Sequence, residues 1–187
     1  MPKRVDRAAK REAILEAAVR VFARKGFAAS RIEDIAAEAG IAKGSVYLYF
    51  DSRDAVLEGV FAAYAERAER VLSSLGDGPP LERLAALIRG TLGMLAEHPD
   101  HARVLVDLWS TAAPLDMAAL YRDYREVIGG LLEEAGQQLR PGIGRAHAAV
   151  IVAAIEGCLV QWLVDPALDL PALAGPVIDV CVEGIRA

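Results

Sequence analysis

The chain is poor in cysteine, histidine and aromatic residues, and each shortage excludes something. Its 187 residues hold two cysteines, three histidines and 6% aromatics. Cys158 and Cys181 are too few for a disulfide framework. They read as free thiols that pack as small hydrophobes, with a redox role as the alternative. Two of the histidines fall in His98-Pro99-Asp100-His101. A proline at a helix boundary sets these imidazoles poorly for sharing an ion, and no third ligand is evident, so no metal is expected. No nucleophile is paired with a base and no glycine loop cradles a phosphate, so neither an enzyme nor a cofactor is indicated. Strand-like alternation is missing. No uninterrupted apolar run reaches the roughly 18 residues of a membrane span. The nearest run, 146–164, is interrupted by His147, Glu156 and Gln161 and reads as a buried helix. The opening Met-Pro-Lys-Arg-Val-Asp-Arg lacks the apolar core of a signal peptide. The expectation is a cytoplasmic protein with no membrane association.

What is present is an apolar, helix-forming sequence with its charge unevenly placed. Hydrophobic residues make up 54% and charged residues 25%, as in soluble globular chains. The formal net charge is −5. Residues 1–53, however, carry 11 basic against 7 acidic side chains, whereas 54–187 carry 10 against 19. Such asymmetry says more about partners than the total does. Lys3, Arg4, Arg7, Lys10 and Arg11 crowd the start, with Asp6 the only acid among the first eleven residues. This segment reads either as a mobile arm for a DNA backbone or as a solvated terminus.

Apolar residues recur at helical spacing almost throughout, and glycine and proline fall between the periodic runs. A first helix is expected over 7–25, with Ile14, Ala18, Val21 and Phe22 on one face and a stop at Gly26. Ser30-Arg31-Ile32-Glu33 has the form of a capping box. It opens a short helix with Ile32, Ile35, Ala36 and Ala39 inward, ending at Gly40. A second short helix is expected over 43–50, and a long fourth over 53–74. Gly76-Asp77-Gly78-Pro79-Pro80 is the clearest break, and helices are expected beyond it near 81–97, 101–112, 115–139, 145–164 and 171–185. The fold class is therefore all-α. An N-terminal three-helix domain (1–53) is joined by a long helix to a C-terminal helical bundle (54–187).

The paired short helices around Glu38-Ala39-Gly40-Ile41-Ala42 form a helix-turn-helix, in which the first helix braces the second for entry into the major groove. Ile41 is expected to plug the gap between them. The run from Ser30 to Phe50, with Ala17-Ala18, Phe22–Phe27 and Ser52–Leu57 around it, resembles the DNA-binding signature of the tetracycline-repressor (TetR) family. That resemblance covers about the first third of the chain. It implies that Lys43, Gly44 and Tyr47 face base edges. It also implies that Ser45, Tyr49 and Arg53, with the amides near Ser30 and Arg31, hold phosphates. A core aromatic is the alternative for Tyr49. The chain departs from the family pattern at Ala42, where a serine cap worth about 1 kcal/mol is common, and at Leu48 and Asp51.

The resemblance further implies that the last two helices pair with their copies in a homodimer. Ala148, Ile151, Val152, Ile155 and Leu159, followed by Trp162, form the stripe expected at that interface, or else the bundle's own core. Two recognition helices would then reach successive major grooves of a palindromic operator in double-stranded DNA. Tyr64, Met94, His98, Trp109, Met117, Tyr121, Tyr124 and Trp162 are candidates to line an effector pocket, with core packing the alternative for each. The expected function is a one-component, ligand-responsive repressor released by a small, mainly apolar effector. The alternative is a DNA-binding adaptor controlled by a protein partner.

Overall fold

The computed structural model describes residues 2–109 and 115–187, with side chains from Arg7 onward. The expected helix end at 112 and the break at Pro114 lie outside the described residues, as do the side chains of Lys3 and Arg4. Described elements are helical: α1 (Pro2–Lys25), α2 (Ile32–Glu38), α3 (Lys43–Val46), α4 (Arg53–Ser73), α5 (Pro80–Glu97), α6 (Pro99–Trp109), α7 (Met117–Ala135), α8 (Ala148–Val164) and α9 (Ala174–Cys181). Among the described residues the only β pairing is an isolated antiparallel bridge between Leu139 and Arg186. The all-α reading holds. Helix ends move where local hydrogen bonding differs from simple periodicity. α1 begins at Pro2, so the basic segment is helix rather than an arm. α3 stops at Val46, after which Leu48 and Tyr49 continue through i→i−3 bonds to Ser45 and Val46. The last α-helical segment is flanked by single 3₁₀ turns at Pro171–Leu173 and Glu183–Ile185.

Packing divides the chain into two compact units, Met1–Ala65 with Pro99–Leu115, and Glu66–His98 with Asp116–Ala187. α4 is one continuous helix that runs across the 65/66 division. The boundary expected at 53/54 follows the chain order. The packing division instead places the first half of α4, and α6, with the N-terminal helices.

The first unit is built on the expected face of α1. Ile14, Ala18, Val21 and Phe22 are buried, together with Ile32, Ile35 and Ala36 of α2, Val46 and Phe50, and Val56, Leu57 and Val60 of α4. Phe22 and Phe27 meet edge to face at 5.4 Å, the favoured aromatic geometry. Gly59 is where α4 comes closest to this core. A Cβ there would sit 2.8 Å from Leu15 Cδ2 and 3.1 Å from Phe50 Cε1, so any larger residue would push the helix away.

In the second unit, α5, α7 and α8 pack together, with α9 against α5 and α8. Ala148, Ile151, Val152, Ile155 and Leu159 are 2–8% exposed within the protomer itself. They form the inner seam of α8, so for these five the bundle-core alternative is what the structure shows. The opposite side of α8 is also apolar, and it is open. Ala149, Val150, Ala153 and Val164 are exposed there, Val150 by 63% and Val164 by 81%. The segment Arg145–Val164 is long and apolar enough by composition to cross a membrane, yet one of its faces is packed as bundle core. It is therefore half-buried rather than buried.

Candidate nucleic-acid interface

The α2–turn–α3 element is locked to α1 by ion pairs. Arg20 and Arg24 bind Glu38 at 2.8 and 3.1 Å, and Lys25 binds Asp34 at 2.6 Å. These contacts hold Glu38 and Asp34 below the ordinary carboxylate range, chiefly through those hydrogen bonds. Exposed pairs of this kind add little stability, but they fix how α2 lies against α1. The turn is made at Gly40, whose φ of +66° is a left-handed conformation open to glycine and costly for other residues. Ile41 bonds back from its amide to Ala36 O, and its side chain is 37% exposed rather than plugged between the helices.

The cap of α2 sits one residue later than the capping box suggests. Arg31 is the N-cap, and its amide donates to Asp34 Oδ2 at 3.0 Å. Ser30 is buried, with its hydroxyl donating to Phe27 O at 2.7 Å. Its side chain is therefore turned into the unit rather than toward a phosphate, while Arg31 is exposed.

Lys43, Gly44, Tyr47 and Leu48 project from α3 and the turn after it, with Tyr47 45% and Leu48 70% exposed. Nothing lies within 4 Å of a Cβ built on Gly44, so another backbone can approach it closely. Lys43 Nζ pairs with Glu33 at 2.6 Å and stands 6.0 Å from the centre of the Tyr47 ring. The hydrogen bond to Glu33 is the main reason the lysine is pushed above its usual range. Ser45 and Tyr49 are half-buried, and Tyr49 packs on the core with the Arg7 guanidinium 5.8 Å from its ring centre. Arg7, Lys10, Arg11 and Arg31 are exposed in the same unit.

Arg53 faces inward. Its Nη1 donates to Phe27 O at 3.0 Å and Ser30 O at 2.7 Å, and the guanidinium lies 4.1 Å from the centre of the Phe27 ring. From the other side Asp107 of α6 accepts from the Phe27 amide at 2.9 Å. The two side chains satisfy the exposed backbone groups of the α1–α2 loop. Arg53→Ala is expected to cost about 2–3 kcal/mol, because hydrogen bonds to a charged group are worth about 1.5–3 kcal/mol and the cation–π contact adds to them. Thermal unfolding would read this as a fall of several degrees. An unchanged midpoint would mean that water replaces these contacts without loss.

The effector candidates occupy varied surroundings. Met94 and His98 line a cleft of about 390 Å³ with Arg67, Arg70, Val71, Ser74, Gly90, Gly93 and Glu97. Tyr64 stacks on Phe61 at 6.5 Å and borders a hollow of about 10 Å³, close to the least that admits one water. Tyr124 is buried, its hydroxyl 3.5 Å from Thr91 Oγ1, and burial pushes its phenol above the usual range. Trp109 is 40% exposed, while Met117, Tyr121 and Trp162 are half-buried. Arg67, Arg70 and Ser74 were not among the residues picked from sequence. The i, i+3 spacing of Arg67 and Arg70 on α4, with Ser74 just past its end, was the available signal.

Comparison with known proteins agrees with this geometry. Residues 14–60 match the family described as bacterial regulatory proteins, tetR family. The chain is 29% identical over 186 residues to the fatty acid metabolism regulator protein of Bacillus subtilis (strain 168), spanning 92% of this chain and 94% of that one. Among solved structures it is similar to the transcriptional regulator FadR from Bacillus subtilis in complex with stearoyl-CoA. That match has a TM-score of 0.77 and 27% identity, covering 93% of this chain and 98% of that one. The fatty acid degradation regulator FadR from Bacillus halodurans shares the fold, with a TM-score of 0.83 at 24% identity over 94% and 95% of the two chains. These relatives are transcriptional regulators rather than enzymes. In its helix-turn-helix, over residues 14–60, the chain matches the tetR family of bacterial regulatory proteins, and along most of its length it is similar to transcriptional regulators of that kind.

Proposed function

We propose that this protein is a cytoplasmic, homodimeric repressor that binds a palindromic operator and leaves it when a small molecule occupies its second unit. The observation that carries the reading is the exposed set Lys43, Gly44 and Tyr47 on the helix-turn-helix, in a unit that also exposes Arg7, Lys10 and Arg11 of α1. These groups fit base-edge contacts: a lysine for guanine O6 or N7, a bare backbone for close approach, and a phenol with a polar tip. Lys43 must exchange Glu33 for a base, an exchange that costs little between two half-exposed partners. Ser45, Tyr49 and the exposed arginines are placed to contact phosphates.

Dimerisation supplies the second recognition helix, about 34–36 Å from the first for one-turn spacing. The outward face of α8 is the surface we assign to it, continued by Pro176 and Val180 of α9. The small-molecule arm rests on the likeness to a regulator solved with stearoyl-CoA. α4 is the element through which occupancy reaches DNA, because it is a single helix that belongs to both units. A coupling of about 1–3 kcal/mol per site would weaken operator binding about 5–150-fold.

The test is fluorescence anisotropy of the full chain on DNA from its own promoter region, over a salt series, with and without long-chain acyl-CoA. Tight, salt-steep binding that acyl-CoA weakens supports the proposal. Binding that no ligand alters favours the partner-controlled adaptor, and no binding at any salt overturns both.

A further inference from the structure

The cleft between the C-terminal half of α4 and α5 carries a charge pattern that an apolar effector does not explain. On one wall Arg67 and Arg70 stand one turn apart, and Ser74 follows a turn later. Facing them are Gly90, Gly93, Glu97 and, at the end of α5, His98. The glycines shape the space. A Cβ at Gly90 would sit 3.0 Å from Val71, so the helices close there, whereas a Cβ at Gly93 would meet nothing within 4 Å and the cleft opens.

Two arginines gathered here run against the composition of the unit, whose acidic residues outnumber basic ones fifteen to nine. With Glu97 counted, the lining carries a net single positive charge while His98 is neutral, and two when it is protonated. His98 is held below the ordinary histidine range, first by burial and then by Arg67 and Arg70, against the opposing pull of Glu97. An incoming anion would offset the two arginines and so favour the protonated imidazole, against the effect of burial.

We propose that this cleft binds the phosphate groups of a small organic phosphate through the Arg67 and Arg70 guanidiniums and the His98 ring, joined by the Ser74 hydroxyl once it releases Val71 O, to which it donates at 2.8 Å. Guanidinium forks match phosphate oxygens two at a time, and a hydroxyl with an imidazolium completes a donor set that a single carboxylate would not fill. The volume of about 390 Å³ admits a diphosphate with part of its ester. The inference deepens the small-molecule reading and rests on it for its regulatory meaning, because α4 also belongs to the DNA-binding unit.

Inorganic pyrophosphate and coenzyme A without an acyl chain are the probes, titrated into the full chain by calorimetry. The His98 ring resonance, one of only three histidines, reports the site. Binding should shift that resonance toward the protonated position, and Arg67→Gln with Arg70→Gln should weaken it at least tenfold. Binding of both probes supports a coenzyme A headgroup, and binding of pyrophosphate alone supports the site but assigns it to a smaller phosphate ester. Failure of both probes, or binding that the double substitution leaves unchanged, overturns the assignment. Operator binding by the unsubstituted protein without phosphate is scored separately. If that fails while pyrophosphate binds at His98, the repressor reading falls and the cleft stands.

Discussion

Tyr47→Ala and Lys43→Ala are each expected to lower operator affinity about thirtyfold or more while leaving the fold intact. A side chain that reads a base edge contributes about 1–3 kcal/mol, and a dimer loses it twice. Even at the lower end, about 2 kcal/mol per dimer converts to that factor. Neither substitution touches the core: Tyr47 is 45% exposed, and Lys43 is held by its exposed pair with Glu33 and lies 6.0 Å from the Tyr47 ring centre. Circular dichroism and the unfolding midpoint should therefore stay within the roughly 0.5 kcal/mol expected of surface changes. The two variants should differ in kind. Loss of Lys43 removes a charge and should flatten the salt dependence, whereas loss of Tyr47 should leave the slope and relax discrimination among operator variants. Glu33→Gln is the informative contrast, since it releases Lys43 and removes a negative charge beside the DNA, so affinity at low salt should rise. If Tyr47→Ala and Lys43→Ala both bind as tightly as the parent chain, the exposed surface of α3 is not the reading head.

Much of this architecture was legible in the sequence, and what was not has identifiable causes. The core face of α1 and the glycine at the helix-turn-helix corner follow from local rules, a 3.6-residue period and a left-handed φ that suits glycine. The cap of α2 was displaced by one residue because two adjacent acids competed for it. Asp34 prevailed, since Lys25 also holds it, and Ser30 gave its hydroxyl to Phe27 O. Arg53 illustrates a second limit. The family resemblance implies a phosphate contact for Arg53, whereas its partners within the fold are carbonyls 23 and 26 residues earlier in the chain. The grouping of Arg67 and Arg70 with His98 depends on two helices meeting at Gly90, and no single-helix period carries that information.

The same limit governs α8, where the second large effect is expected. A helix apolar on all sides gives periodicity nothing to choose between, so the stripe that meets the protomer's own core and the one proposed to meet its copy look alike. Burial separates them: Ile151 and Ile155 are 3% and 4% exposed, whereas Val150 is 63% and Val180 of α9 is 71% exposed. Val150→Asp and Val180→Asp should therefore leave the protomer folded and convert a dimer into a monomer. In a twofold interface each substitution enters twice, and an uncompensated buried carboxylate costs several kcal/mol. Sedimentation would show the halved mass, with helicity unchanged. Operator affinity should collapse with it, since one recognition helix retains only half of the contacts. Ile151→Asp supplies the opposite control, because a charge on the inner seam should unfold the bundle rather than divide the dimer. If both outer variants sediment as dimers on DNA-free protein, then the copies pair through some other surface, and the open side of α8 must serve another partner.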